Sequence, residues 1–118
     1  MKNGWIETTS YSIIRTHYVN DIIHKDDGPA KLVGADRYWY RNGLEHREDG
    51  PAYEGCLGTR KWFLNGKQHR IDGPAVHYVN RAGIATREDL EEYWIYGQKI
   101  DCKTQEEFER IVKLISFF

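Results

Sequence analysis

The sequence predicts a mainly β protein: an antiparallel meander of hairpin repeats, about 22 residues each, with a C-terminal capping α-helix. Three observations predict it. The heptads HKDDGPA (24–30), HREDGPA (46–52) and HRIDGPA (69–75) recur at offsets of 22 and 23 positions, and self-similarity at such a period marks a repeat architecture. Asn-Gly pairs at 42–43 and 65–66 follow aromatic-rich segments, a strong short-range hairpin signal. Residues 104–118 carry helical spacing.

In chain order, residues 1–16 (WIETTSYSII within them) are rich in β-branched and aromatic residues and are expected to supply opening strands. Residues 17–101 hold about four hairpin repeats within one domain spanning 1–118. WYRNGLEHREDGPA (39–52) matches WFLNGKQHRIDGPA (62–75); HYVNDIIHKDDGPA (17–30) is a degenerate first copy, with His17 for Trp and Asp21 for Gly. YWIYGQKI (93–100) starts a fourth copy that keeps Gly97 but loses the heptad. Both central residues of a type I′ turn need positive φ, which Asn-Gly supplies. A two-residue loop then sets the register: Arg41 faces Leu44, Tyr40 faces Glu45 and Trp39 faces His46. By the same count Trp62 faces His69, His17 faces His24 and Tyr93 faces Ile100. In Asp-Gly-Pro-Ala, Pro has no N–H for a central ladder, Gly permits a sharp reversal and Asp can close a turn. The heptad therefore reads as a joint between strands.

The segment TREDLEEY (86–93) is an insertion with room for one helical turn. The C-terminal helix, expected over 103–118, opens on a capping box, Thr104 with Glu107. Phe108, Ile111, Val112 and Ile115 draw one apolar stripe, which should lie on the last repeat. Phe117 and Phe118 are expected under the sheet or in a contact surface.

Composition narrows the function classes. Seventeen Lys and Arg against eighteen Asp and Glu leave a net charge of −1, with signs interspersed. That balance argues against a dedicated DNA-binding surface. No leader-type apolar region and no run of about 18 apolar residues is visible, so a cytoplasmic setting and no membrane association are expected. Cys56 and Cys102 belong to no Cys-x-x-Cys pair and are expected as free thiols. No nucleophile elbow, phosphate loop or zinc-protease motif is present in the chain; no catalytic residue, metal ligand or cofactor is assigned, and an enzyme is not expected. His17 and His24, paired across strands, are the best metal candidate, without a third ligand.

The aromatics carry the functional reading. Alternation places Trp39, Trp62 and Tyr93, with Leu64 and Ile95, on one face, assigned to the core. Tyr40, Phe63 and Trp94 fall on the other. One sheet cannot bury both ladders, and exposed aromatic patches mark binding sites. The candidate binding residues are Tyr38, Tyr40, Lys61, Phe63, Trp94 and Tyr96.

Trp39, Asn42, Gly43, His46, Arg47 and Asp49–Ala52, with their counterparts at 62–75, resemble the tandem W-x-x-N-G-x-x-H-R-x-D-G-P-A repeats of large bacteriophages and giant viruses, and more distantly MORN-type hairpin repeats. The likeness covers about residues 17–101. It implies a repeat scaffold of viral origin; the family has no common biochemical activity to carry over. The expectation is a non-enzymatic viral accessory protein that binds a host protein of unknown identity, possibly inhibiting a defence system, in the host cytoplasm. The alternatives are a nucleotide or single-stranded nucleic-acid binder using Arg37, Arg41, Arg60 and Lys61, and a structural or self-assembling protein. A homo-oligomer stays open.

Overall fold

The computed structural model describes residues 1–79 and 90–115. It is mainly β, an antiparallel meander of hairpins with one C-terminal helix. Opening strands β1 (Gly4–Thr9) and β2 (Ile13–Val19) pair along their whole length; β2 runs through the boundary drawn at 16/17. The end of β2 also pairs with β3 (Ile22–Ile23). The large sheet then continues through β4 (Lys31–Val33), β5 (Asp36–Tyr38), β8 (Tyr53–Glu54), β9 (Arg60–Lys61), β12 (Val76–His77), β13 (Glu91–Ile95) and β14 (Gln98–Ile100). Two hairpins stand off this path: β6 (Tyr40–Arg41) with β7 (Leu44–Glu45), and β10 (Phe63–Leu64) with β11 (Lys67–Gln68).

Each repeat is one long strand that changes partners midway. Asp36–Tyr38 pairs in the large sheet, and Tyr40–Arg41, beyond Trp39, turns into its own hairpin. The change happens at a crease lined by the heptad alanines. The N–H groups of His17, Trp39 and Trp62 donate to the carbonyls of Ala30, Ala52 and Ala75, all at 2.7 Å. All three alanines are fully buried; a larger side chain would wedge the crease open.

The hairpin register follows from turn chemistry. Tyr40 pairs with Glu45, Arg41 with Leu44 and Tyr93 with Ile100. The His46 N–H donates to Trp39 O, His69 to Trp62 and His24 to His17, each at 3.1 Å. Asn42–Gly43, Asn65–Gly66 and Tyr96–Gly97 all have positive φ at both positions, as type I′ requires. The degenerate first copy turns the same way, with Asn20 at 51° and Asp21 at 67°.

Successive hairpins stack by backbone bonds. The N–H groups of Gly43, Gly66 and Gly97 donate to Ile23, Glu45 and Gln68 carbonyls of the preceding repeat, each at 2.8 Å. The N-terminus imitates a preceding repeat, since the Asp21 N–H donates to Lys2 O. At the other end α1 (Gln105–Ile115) packs Phe108, fully buried, on Tyr93 with ring centroids 4.7 Å apart. Its N-cap is formed, the Glu107 N–H donating to Thr104 Oγ1 at 3.2 Å, while the Glu107 carboxylate accepts the N–H of Lys103 rather than of Thr104, at 2.8 Å. The rest of the stripe is less covered, with Ile111 and Val112 half-buried and Ile115 exposed.

In the insertion 86–93, Leu90 is helical and 91–93 belong to β13; 86–89 lie outside the described residues, as do Phe117 and Phe118. One expectation needs correction. The Trp ladder is not a core: Trp39 and Trp62 are half-buried, and of that ladder only Tyr93 is buried. The physical reason is that the described fold is one layer thick over most of its length. The exposed area is 8146 Å², against about 6,700 Å² for a compact chain of this mass.

Candidate binding face

The heptads, three copies of one stretch, are the first candidate for chemistry, and their geometry gives the His, Arg, Asp, Gly and Ala positions structural roles. The histidine clasps the next repeat. Nδ1 of His24, His46 and His69 accepts the N–H of Asn42, Asn65 and Tyr96, at 2.9, 2.9 and 3.0 Å. Each Nδ1 must be unprotonated to do so. The Asn3 side-chain oxygen takes the same role for Asn20 N–H at 2.8 Å, so the first turn is clasped without a histidine. Nε2 of His24 lies 2.8 Å from Asp26, and that of His46 lies 3.4 Å from Glu48. The His69 ring stacks on Tyr96 at 3.9 Å, and burial holds its pKa below the usual value.

The arginine covers the indole. The guanidinium carbons of Arg47 and Arg70 stand 4.0 Å from the Trp39 and Trp62 ring centroids, a cation–π geometry. Each guanidinium also donates to the heptad Asp, at 3.0 Å in Asp49 and 2.9 Å in Asp72, and to the Pro51 or Pro74 carbonyl, at 3.1 and 3.2 Å. These bonds hold the Asp49 and Asp72 carboxyls below the usual range. Gly leaves room for the guanidinium over it: a Cβ on Gly50 or Gly73 would sit 2.9 or 2.7 Å from the Arg Cζ and displace it from the indole and the Asp. In copy one, where His17 replaces Trp, Lys25 replaces Arg and pairs with Asp27. Trp and Arg are thus lost together, a signal visible in the sequence that the hairpin reading passed over.

The opposite face is different. Cross-strand pairing lines up Thr16, Lys31, Tyr38, Tyr53, Lys61 and Val76 in one row over six strands. At its centre the Tyr38 and Tyr53 rings lie 4.8 Å apart, tilted by 46°. Lys31 stands 5.7 Å from the Tyr38 ring centroid; Lys61 stands 5.7 Å from Tyr53 and 5.5 Å from Tyr78. A depression of about 250 Å³ opens here between Tyr38, Tyr53, Tyr78, Phe63 and Lys61, with Glu45 and Thr59 at its margin. Burial and the Asp36 charge push the Tyr53 hydroxyl up to about 12. Burial likewise raises Tyr38 and Tyr40, so all three phenols are neutral at pH 7. Burial also raises Glu45, against the pull of Lys61 and of its bond with the Tyr40 hydroxyl.

Of the six residues named from sequence, Tyr38, Lys61 and Phe63 converge on this depression, and Tyr40 adjoins it through Glu45. Trp94 lies two hairpin strands further along, its Nε1–H donating to Glu92 at 3.1 Å. Tyr96 occupies a turn with φ 45° and turns its ring onto His69. Tyr53, Tyr78 and Lys31 were not named. Their placement depends on the strand register after each DGPA joint, which no local rule supplies.

His17 and His24 do not form a metal pair: His17 Nδ1–H donates to the His24 carbonyl at 2.7 Å, and both His24 nitrogens are engaged. Among the described residues no group of three or more His, Cys, Asp or Glu is placed to hold a metal, and no helix is long and apolar enough to cross a membrane. Comparison with protein-family models, curated proteins and solved structures finds no match.

Proposed function

We propose that the chain is a non-enzymatic interaction module that binds another protein through the face carrying Tyr38, Tyr53, Lys61 and Phe63. One observation carries this reading. Among the described residues the sheet has a second layer only where α1 meets Tyr93, and a concave patch of neutral phenols, a phenyl ring and the Lys61 ammonium stays open, with Lys31 beside it. Aromatic rings ordered in advance by their neighbours suit protein recognition, since little side-chain entropy is lost on binding. The likeness of the heptads to phage and giant-virus repeats supports a viral accessory protein acting on a host protein in the host cytoplasm; inhibition of a host defence system is the activity this reading gives it.

Two other readings fit less well. Single-stranded nucleic acid needs open ring faces for stacking, and here Tyr38 and Tyr53 pack on each other while lysines cover them. Assembly would pair the edge strands β1 and β14 of different copies, and such pairing leaves the aromatic face untouched.

The test is capture of a partner from lysate, followed by calorimetry with the purified partner. Phe63→Glu and Tyr53→Glu, checked for folding by circular dichroism, are expected to weaken binding at least tenfold. Undiminished binding by both folded variants would overturn the assignment of this face.

A further inference from the structure

We infer that this face recognises an extended acidic segment, with carboxylates four residues apart and an apolar or aromatic side chain midway between them. The inference rests on the proposed function and names the chemistry of its partner. Lys31 and Lys61 end the Lys31–Tyr38–Tyr53–Lys61 row. Among the described residues neither ammonium makes an ion pair; each rests over tyrosine rings. Asp36 accepts the Cys56 N–H at 2.7 Å and Glu92 accepts from Trp94 and Lys99. Glu45 feels the charge of both lysines without an ion pair to either.

Spacing then sets the ligand. Three strand-to-strand steps separate the backbones of the two lysines, about 14 Å. An extended peptide lying across the strands advances about 13 Å in four residues and turns alternate side chains to one side. Acidic residues at i and i+4 therefore meet Lys31 and Lys61, and residue i+2 falls over the depression beside Tyr53 and Phe63. Glu45 at that margin repels a third carboxylate and tolerates an aromatic side chain or a hydrogen-bond donor.

The probe is an acetylated, amidated peptide Gly-Glu-Ser-Phe-Ser-Glu-Gly, titrated into the whole chain and followed by two-dimensional NMR at low salt. Shifts are expected at Tyr38, Tyr53 and Lys61. Replacing both Glu by Gln, or placing the two Glu side by side, should weaken binding at least tenfold. Lys31→Gln and Lys61→Gln should each weaken it three- to tenfold. Equal affinity for the Gln peptide, for the rearranged peptide or for both lysine variants overturns the inference, as does preferential binding of an eight-nucleotide oligo(dT). If a captured protein depends on Phe63 yet ignores Lys31→Gln and Lys61→Gln, the acidic-segment inference fails while the proposed function stands.

Discussion

At the scale of the residue, the histidine is the most demanding member of the heptad. Its Nδ1 stands in for a backbone carbonyl, accepting the N–H of an exposed turn residue. Losing such a hydrogen bond costs about 0.5–1.5 kcal/mol, so His46→Ala should lower stability by that order in urea unfolding. His46→Asn should lose less, because Asn3 already performs the same clasp. The clasp also has a pH sign. His69 is held below its ordinary 6.5 by burial, so the unfolded chain binds the proton more readily. Its contribution is complete above about pH 6.5 and is lost as pH falls through the lower folded value. Melting temperature should therefore decline from pH 7 towards pH 5, and His69→Asn should flatten that decline. A wild-type melting temperature constant across this window contradicts the clasp. The Asp49 and Asp72 bonds fail in a separate, more acid window, below about 3.8, because those carboxyls are depressed.

At the scale of the element, the hairpin turn does two jobs at one glycine. Gly43 and Gly66 have φ near 80°, where a side chain costs about 1–2 kcal/mol. They also receive the preceding repeat: a Cβ on Gly43 would lie 3.4 Å from Ile22, and one on Gly66 3.3 Å from Leu44. Gly43→Ala should destabilise by about 1–2 kcal/mol in urea unfolding. Gly43→Asn should cost less, since Asn and Asp tolerate this region and Asp21 occupies it in the first copy. If Ala proves as good as Asn, the left-handed turn is not what selects glycine. The hairpins themselves were legible because a two-residue loop between aromatic segments permits one register. The joint was legible only as a joint. That its arginine covers the indole and its glycine makes room for the guanidinium required the two halves of the heptad to be seen folded together.

At the scale of the molecule, the fold is a creased ribbon rather than a ball. The Cα radius of gyration is 16.2 Å, against about 13.5 Å for a compact chain of this length. Solution scattering of a monomer should return a value near 16 Å. A value near 13.5 Å would mean that the ribbon closes on itself, and growth with concentration would mean that the edge strands β1 and β14 pair between molecules. Such a molecule relies on nearest-neighbour contacts, and its few buried apolar side chains (Val76, Tyr93 and Phe108 beside three alanines) agree with that.

By itself the sequence determined the hairpins, their register, the repeat and the capping helix, because each is set by contacts within about 25 residues and by φ preferences of single residue types. Only the tertiary structure decided which aromatic ladder is covered and what covers it. Tyr38, Tyr53, Tyr78 and Lys61 meet because strands separated by hairpins return side by side. That adjacency is fixed by the register in which β5, β8 and β9 pair after each DGPA joint, which no local pattern of residues encodes.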